Sequence, residues 1–267
     1  MTDIFPDGTH IAGRLGVTAS FAHGDLVLAL EPHPQVMVHG VVRISVLSFL
    51  VDAVAGIVID DDMDEWALTS DMSVRMRPRP APGRIVATGR VVRRGRRSVT
   101  SMVELTSDGG EPIATGAIGF VKIPRRDTDP PKPRMSPEKA ASLFGGLGTL
   151  AGPLRQEAGI EVVDASTGEM QMEVTPQLRN PAGTLQGAMV ALLAEAATED
   201  LVSTRFDSPV VVTDLDLRYL AQAQAGPVRS RCRLLGTGPD APVQVELVDT
   251  SVDRVTTLVF ARAAAVP

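Results

Sequence analysis

An internal repeat with a shift of 143 residues constrains the fold of this chain more than any other feature. At this shift Gly40 matches Gly183 and Asp52 matches Glu195. Few gaps are needed across about a hundred residues, so we interpret the repeat as two copies of one folding unit. The matched ungapped segments are Val46 to Ala53 with Met189 to Ala196, and Ser70 to Arg75 with Thr213 to Arg218.

The segment between the two copies is rich in proline and charge, as extended linkers are. The sequence therefore predicts an N-terminal domain over 1–123, a linker over 124–135 and a C-terminal domain over 136–267. Ser136 followed by Pro137 is typical of a helix N-cap and first turn, so we expect a short helix to open the second domain.

Each copy has the pattern of a strand, a turn, one strong helix and then further strands. In the second copy the stretch Gly187–Ala197 is apolar almost all round, which predicts a buried helix. Alternating segments predict antiparallel strands over 169–174, 210–220, 228–235, 242–248 and 254–264. One apolar helix per copy is hidden only if the strands curl around it, so the fold class is α+β, with two antiparallel sheets each wrapped around one long central helix.

Pairing of the two copies would cover a sheet edge in each of them. We therefore expect the two sheets to join into a continuous sheet of roughly ten or twelve strands, with the two helices side by side and antiparallel.

Composition excludes several classes of protein. The net charge of −6 argues against a nucleic-acid partner. No apolar run approaches the roughly 20 residues of a membrane-spanning helix, and the N-terminus has no signal-peptide pattern, so we expect a cytoplasmic protein without a membrane partner. The single Cys232 and the four histidines are not spaced like metal ligands, so no metal is expected.

The segment Asn180-Pro181-Ala182-Gly183-Thr184-Leu185-Gln186-Gly187-Ala188, followed by Glu195, resembles a motif of the phenylacetate-pathway branch of hot-dog-fold acyl-CoA thioesterases. Their pattern is Asn-x-x-Gly-x-x-His-Gly-Gly, with an acid nine positions beyond the histidine. Gln186 departs from it by replacing the histidine, and Glu195 replaces the usual aspartate. The resemblance implies a double hot-dog protein that hydrolyses acyl-CoA, with no cofactor besides this substrate, and we expect a homo-oligomer.

The resemblance also implies roles for individual residues. The amide at the helix start, Gly187 or Ala188, would polarise the thioester carbonyl with help from Asn180. The acid would activate water or attack the carbonyl. A serine or threonine 18 residues beyond the acid would hold the water, which assigns Ser70 and Thr213. The first copy keeps Asp52 but has Met37, Arg43 and Ile44 in place of the asparagine, histidine and glycine.

Helix geometry decides how these groups can combine. A carboxylate nine residues along a helix lies about 13 Å from its start, too far to serve its own helix terminus. Antiparallel helices would instead bring each acid to the other copy's helix start. The expected pairings are Asn180, Gln186 and the Gly187 amide with Asp52 and Ser70, and Arg43 and the Ile44 amide with Glu195 and Thr213.

The first pairing keeps all the expected parts and is predicted to be the active one, whereas the second is a candidate degenerate site. The alternatives are a solvated helix face for the two acids, and ordinary turn and capping chemistry for Asn180 and Gln186.

Residues 75 to 97 contain nine arginines and no acid. Guanidinium groups pair well with phosphate oxygens, so we expect CoA phosphates to bind at Arg75, Arg77, Arg93 and Arg94. The alternative is a solvated strand face with a basic hairpin tip.

Acyl-CoA thioesterase is thus the predicted function, and the alternative is a non-catalytic acyl-CoA or lipid-binding module, which the departures in the first copy would favour. A hydratase is disfavoured because the chain has no suitably placed aspartate and histidine pair.

Overall fold

The computed structural model describes residues 10–22, 25–59, 62–80, 83–132, 139, 144 and 148–266. The strands are β1 (Val17–Ala22), β2 (Asp25–Leu30), β3 (Met37–Val38), β4 (Val41–Val42), β5 (Glu65–Met76), β6 (Ile85–Arg94), β7 (Ser98–Ser107), β8 (Pro112–Pro124), β9 (Glu161–Asp164), β10 (Glu169–Met172), β11 (Val210–Tyr219), β12 (Val228–Leu234), β13 (Val243–Asp249) and β14 (Arg254–Ala265). The α-helices are α1 (Ile44–Ile59), α2 (Leu154–Glu157) and α3 (Gly187–Phe206), and single 3-10 turns cover Ile11–Arg14, Pro34–Val36 and Pro176–Leu178.

Twelve of the strands form one antiparallel sheet in the order β1-β2-β6-β7-β8-β5-β11-β14-β13-β12-β10-β9, and β3 pairs with β4 apart from it. The expected continuous sheet of ten or twelve strands is therefore confirmed, whereas the description as two sheets, each wrapped around its own helix, is wrong. The strands β5 and β11 hydrogen-bond to each other and leave no boundary between two sheets. Joining them satisfies two strand edges that separate sheets would leave exposed.

The junction of β5 and β11 follows the shift found in the sequence. Ser73 lies opposite Asp216, its equivalent in the repeat, and the Ser73 hydroxyl donates a hydrogen bond to Asp216 Oδ1 at 3.0 Å. The neighbouring pairs exchange equivalent positions in the same way, Asp71 with Arg218 and Asp214 with Arg75. The two halves thus meet at this junction about an approximate two-fold axis.

The helices α1 and α3 pack against each other on one face of the sheet. Nearly every residue of α3 from Ala188 to Val202 is buried, as its apolar composition predicts. Glu195, midway along α3, contacts the backbone at the start of α1, and Asp52, midway along α1, approaches Gly187 at the start of α3. The helices are therefore antiparallel, as expected from the sequence.

The strands predicted in the second copy are confirmed to within two residues at each end. The helix predicted from Gly187 begins at that residue but extends to Phe206, well beyond Ala197. The helix start predicted at Ser136 lies outside the described residues, as do the last residues of the linker. The domain limits remain a prediction.

Close packing of α1 on the sheet depends on Gly116 in β8. A Cβ atom at this position would lie 2.6 Å from Cγ2 of Val51 on α1. At Gly56, within α1, an added Cβ would lie no closer than 3.6 Å to Phe120. The first glycine is thus required by packing and the second is not.

We expect Gly116→Ala to lower the free energy of unfolding by about 1–3 kcal/mol because the methyl group overpacks against Val51. Gly56→Ala is the matched control and should raise it by up to about 1 kcal/mol, since alanine favours helix more than glycine does. Urea denaturation followed by circular dichroism measures both. Equal effects of the two substitutions would contradict the packing argument.

Candidate active site

A cavity of about 440 Å³ opens where β5 extends beyond its pairing with β11. Strand β11 pairs with β5 over Asp71–Arg75, whereas β8 pairs with β5 from Glu65 onward. The first half of β5 thus borders a cleft, which is closed on its far side by residues 180–187 and 219–224.

Five of the predicted site residues line this one cavity. Asp52 comes from α1 and Ser70 from β5, in the first half of the chain, and the other three come from the second half: Asn180, Gln186 and Gly187. The structure therefore brings together all members of the first predicted pairing. It does so because the antiparallel helices place the middle of α1 beside the start of α3.

Asp52 is half-buried at the inner end of the cavity. Its Oδ1 accepts a hydrogen bond from the Thr69 hydroxyl at 2.7 Å. Burial raises the pKa of Asp52 above its ordinary value, and the Thr69 hydrogen bond opposes that rise because it stabilises the charged form. A carboxylate with this environment is suited to accept a proton from water.

The start of α3 faces the same carboxylate. The Gln186 carbonyl accepts hydrogen bonds from the amides of Met189 and Val190. The Gly187 amide comes before these donors and, like the first amides of any helix, has no acceptor within the helix. A Cβ atom on Gly187 would lie 3.8 Å from Asp52 Oδ2 and 3.2 Å from the Tyr219 hydroxyl. Glycine therefore leaves open the space between the carboxylate and the helix terminus.

Asn180 and Gln186 differ in how they are engaged. Asn180 Oδ1 accepts hydrogen bonds from the amide and the hydroxyl of Thr184 at 3.1 and 3.2 Å, which is the turn chemistry of the alternative interpretation. Gln186 makes no side-chain cap for α3, and among the described residues its buried Oε1 has no hydrogen-bond partner. Gln186 thus lines the cavity and carries an unpaired side-chain oxygen that is itself buried.

The predicted water-holding residues are placed differently from expectation. Ser70 lines the cavity, but its hydroxyl donates to Asp71 at 2.8 Å, and Thr69 is the residue that bonds Asp52. The register of β5 against β8 shifts at Ser70, and that of β11 against β14 shifts at Thr213. Such a bulge breaks the simple alternation of side chains along a strand. Counting 18 residues from Asp52 therefore gives Ser70, whereas the residue that contacts Asp52 is its neighbour Thr69.

The second predicted pairing also comes together, but its parts bind one another. Glu195 accepts hydrogen bonds from the amides of Ile44 and Ser45 at 3.1 and 3.3 Å, and a short one from the Ser45 hydroxyl. The Arg43 guanidinium lies 3.6 Å from Glu195 and 2.9 Å from Glu199. The carboxylate of Glu195 thus occupies the amides that would otherwise receive a substrate oxygen.

This second cluster is almost completely buried, with Arg43 exposed by 7%, Glu195 by 1% and Glu199 by 5%. Burial raises the pKa of Glu195, and it raises the pKa of Glu199 to about 7 against the attraction of Arg43. The equivalent of Thr69 here is Val212, which cannot hydrogen-bond a carboxylate. The hydroxyl of Thr213 instead donates to Asp214 at 2.8 Å.

The arginines predicted to bind CoA phosphates lie elsewhere. Within the described residues, the cavity wall contains none of Arg75, Arg77, Arg93 and Arg94, and the arginine in it is Arg126. Arg75 forms an ion pair with Asp214 at 3.0 Å beside the two-fold junction. The other three are exposed on strands or their ends. Their role in binding phosphate stays a prediction.

Thr69, Trp66 and Tyr219 are among the cavity residues that sequence reasoning missed. Trp66 and Tyr219 are the chain's single tryptophan and single tyrosine, which is a signal that could have singled them out. The Tyr219 hydroxyl donates to the Gly187 carbonyl at 3.1 Å. Burial and the neighbouring Asp52 raise the pKa of Tyr219 well above its usual value, so it remains a neutral donor.

The described residues contain no group of three histidine, cysteine, aspartate or glutamate side chains arranged to hold a metal ion. In the same part of the chain, no helix combines the length and the apolarity needed to cross a bilayer.

Comparison with known proteins places this architecture. An acyl-ACP thioesterase from Bacteroides thetaiotaomicron superposes with a TM-score of 0.62 at 12% identity, over 89% of this chain and 97% of that one. A conserved protein of unknown function with a hot-dog fold, from Alicyclobacillus acidocaldarius, superposes with a TM-score of 0.61 at 13% identity, over 99% and 98%. This chain has a hot-dog fold. The fold expected from the sequence motif is confirmed at that level.

At the level of sequence, no protein-family profile matches the chain. A 1,4-dihydroxy-2-naphthoyl-CoA hydrolase from Listeria monocytogenes is 29% identical over 101 residues, which make up 36% of this hot-dog chain and 82% of that protein. The matched protein is thus about half as long as this one.

The closed cluster predicts a pH-dependent contribution to stability. Arg43→Met leaves Glu195 and Glu199 buried without a cation, so we expect the free energy of unfolding at pH 8 to fall by about 3–5 kcal/mol. At pH 5 the loss should be smaller, because Glu199, whose pKa is raised to about 7, is then largely protonated and neutral. Urea denaturation at the two pH values measures both losses.

Arg14→Met is the matched control. Arg14 pairs with Glu157 at 3.2 Å with both side chains partly exposed, and its loss should cost less than about 1 kcal/mol at either pH. An Arg43 variant as mild as this control would contradict the assigned role of the cluster.

Proposed function

We propose that this protein is an acyl-CoA thioesterase of the tandem, double hot-dog type, similar to the phenylacetate-pathway branch, with one active site in the cavity between its two halves. In this proposal the copies are residues 1–123 and 136–267, joined by the linker 124–135. The observation that carries it is the meeting of Asp52 from one half with the start of α3 from the other, inside a single cavity.

The proposed reaction begins with a water molecule beside Asp52. The carboxylate takes a proton from this water while the water oxygen attacks the thioester carbonyl carbon. Negative charge develops on the carbonyl oxygen, and the Gly187 amide at the positive end of α3 stabilises it. Collapse of the intermediate breaks the carbon–sulfur bond, and the thiolate takes the proton held by Asp52, which yields a free acid and a thiol.

Three residues support the reacting groups. Thr69 orients the carboxylate of Asp52 through its hydroxyl. Tyr219 donates a hydrogen bond to the carbonyl of Gly187 and lines the cavity. We assign Gln186 a binding role in the cavity wall, because its buried Oε1 has no partner among the described residues and a small side-chain rotation would turn it toward the water or the substrate.

The comparisons agree with this choice of reaction class. The matched Listeria protein bears the name of a CoA thioester hydrolase, and a structural neighbour is named as a thioesterase acting on an acyl carrier protein. Acyl-CoA is the substrate we propose, because the residues resemble the CoA-dependent branch.

The alternative of a non-catalytic binding module is supported at one place, the start of α1. There Glu195 already accepts the amides of Ile44 and Ser45, so that half has no free donor for a substrate oxygen. We therefore assign catalysis to the Asp52 site and a structural role to the Glu195 cluster.

Asp52→Asn should lower kcat by about 100- to 10,000-fold, since it removes the general base while keeping the shape of the side chain. Thiol release from a panel of acyl-CoA substrates measures the effect. Glu195→Gln is the paired variant: it should reduce stability but retain wild-type kcat in the folded protein. Hydrolysis of no member of the panel by the wild type, or full activity of Asp52→Asn, would refute the proposal.

The pH profile provides a separate test. Because burial raises the pKa of Asp52, kcat/KM should rise with pH through a value above the ordinary aspartate range. Thr69→Val removes a hydrogen bond to the charged form, so the pKa should rise further and the acid limb should move to higher pH. Ser70→Ala should leave the limb in place, because the Ser70 hydroxyl bonds Asp71. If Ser70→Ala moved the acid limb and Thr69→Val did not, the assignment of Thr69 would be contradicted.

A further inference from the structure

We propose that residues 124–132, named here the strap, form a wall of the active-site cavity and that Arg126 on the strap binds a phosphate group of the thiol carrier. This inference rests on the proposed function and adds a binding subsite to it. The strap continues directly from the end of β8 and lies within the segment that the sequence marks as a linker.

The strap is held against the first half of the chain through Trp66. The indole N–H of Trp66 donates to Asp129 Oδ2 at 3.1 Å. The guanidinium of Arg125 lies 5.4 Å from the ring centroid of the indole, and the ammonium of Lys132 lies 5.5 Å from it. Cations at this distance from a tryptophan ring are attracted to it, so both ends of the strap are fastened to one side chain.

Lys132 strengthens this attachment. Its ammonium donates hydrogen bonds to the carbonyls of Asp62 and Glu65, and the side chain is buried. A buried ammonium with two carbonyl partners fixes the far end of the strap beside the start of β5. The strap is therefore an ordered part of the cavity rim over residues 125 to 132.

Within the strap, a tight turn positions Arg126. The Asp129 carboxylate accepts a hydrogen bond from the Arg126 amide at 2.9 Å, and the Asp129 amide donates to the Arg126 carbonyl at 3.0 Å. Arg126 lines the cavity and its side chain is exposed. Its guanidinium has no ion pair among the described residues. The turn thus presents a cation in the cavity wall. The pKa of Asp129 on the same turn is lowered by the hydrogen bond from the Arg126 amide and also by the charge of Arg126, so a phosphate would share this cation with Asp129.

The strap also touches the second half of the chain. Cγ of Pro130 lies 3.6 Å from the position that a Cβ of Gly183 would take. Gly183 belongs to the turn that leads into Gln186 and Gly187, so the strap spans the cleft between the two halves. Arg126 of the strap and Gly187 line the same cavity.

The surroundings favour an anion at this rim although the whole chain is acidic. The backbone of Lys122 donates to the Arg97 carbonyl, which places the basic turn at residues 95–97 beside the end of β8. Val121 and Ile123, on either side of Lys122, line the cavity. Glu65 pairs with Lys122 at 3.7 Å, and Asp127 and Asp129 lie on the strap, so the phosphate would be bound by the Arg126 guanidinium itself and not by a general excess of cations.

The chemistry of the ligand follows from a guanidinium at the mouth and a thioester at the bottom of one cavity. A thiol carrier with a phosphate on its arm, as in phosphopantetheine or CoA, offers both features. Arginine binds phosphate through paired N–H donors, which gives it an advantage over a single point charge.

Trp66 permits a direct test because it is the only tryptophan of the chain and anchors the strap. Its fluorescence is followed during titration with CoA, with phosphopantetheine and with pantetheine, which lacks phosphate, and calorimetry provides the affinities independently. Arg126→Ala is compared with Arg205→Ala, an exposed arginine in the last turn of α3, at the opposite end of that helix from the cavity.

We expect CoA to change the Trp66 emission and Arg126→Ala to bind CoA about tenfold more weakly than wild type, because a charge-assisted hydrogen bond is lost. Pantetheine affinity should be equal in wild type and Arg126→Ala, and Arg205→Ala should match wild type for all three ligands. A loss of affinity for both phosphopantetheine and CoA assigns the subsite to the phosphate on the pantetheine arm. A loss for CoA alone assigns it to the nucleotide phosphates.

The inference is overturned if Arg126→Ala binds CoA as tightly as wild type, if pantetheine binding falls equally, or if calorimetry detects CoA binding that leaves Trp66 emission unchanged. Its failure is distinct from that of the proposed function. Hydrolysis of acyl-CoA with an unchanged KM in Arg126→Ala would remove the subsite and keep the thioesterase. Binding of CoA that depends on Arg126, without hydrolysis of any acyl-CoA, would keep the subsite and remove the thioesterase.

Discussion

The hydrogen bonding of β5 to β11 is the interaction on which the rest of the structure depends. A single half could place an acid and a helix start about 13 Å apart on the same helix, too distant to act together. Joining the halves edge to edge about the Ser73–Asp216 pair turns the two long helices antiparallel. Only then does Asp52 lie beside the first residue of α3.

The two equivalent sites that this symmetry creates have diverged in opposite directions. At the first site, Gly187, Asp52 and the uncharged Gln186 line a cavity between the carboxylate and the start of α3. At the second site, Arg43 stands at the position of Gln186, and Glu195, which is one methylene longer than Asp52, reaches the amides at the start of α1. The additional methylene and the added cation convert a place for substrate into a buried ion cluster. The two equivalent positions of a repeat can therefore differ, one forming an open cavity and the other a closed ion cluster.

The connection between the halves takes part in the site as well. Its cations and Asp129 converge on Trp66, and its turn forms part of the cavity rim. The segment between the two halves thus contributes residues to the cavity wall. This element lies where a substrate would pass on its way to Gly187.

The sequence predicted a large part of this arrangement. The repeat, the apolar helix from Gly187, the strands of the second copy and the pairing of Asp52 with Gly187 all follow from periodicity and helix geometry. The predictions that were incomplete share one cause, which is that they depend on contacts between distant segments. The bulge at Ser70 transfers the contact with Asp52 to Thr69, and the count along the strand gives no sign of it. The cluster of arginines from Arg75 to Arg97 is conspicuous in sequence, yet the cavity contains Arg126.

The amino-acid sequence by itself thus determined the element types of the second copy, the repeat and the residues of the first predicted pairing that line the cavity, because these depend on side-chain periodicity and on the fixed rise of a helix. The tertiary structure alone decided which of the two sites is open, which hydroxyl bonds the acid and which cation borders the cavity. Those outcomes depend on distances of a few ångströms between segments far apart in the chain, where a methylene group or a one-residue bulge changes the partner.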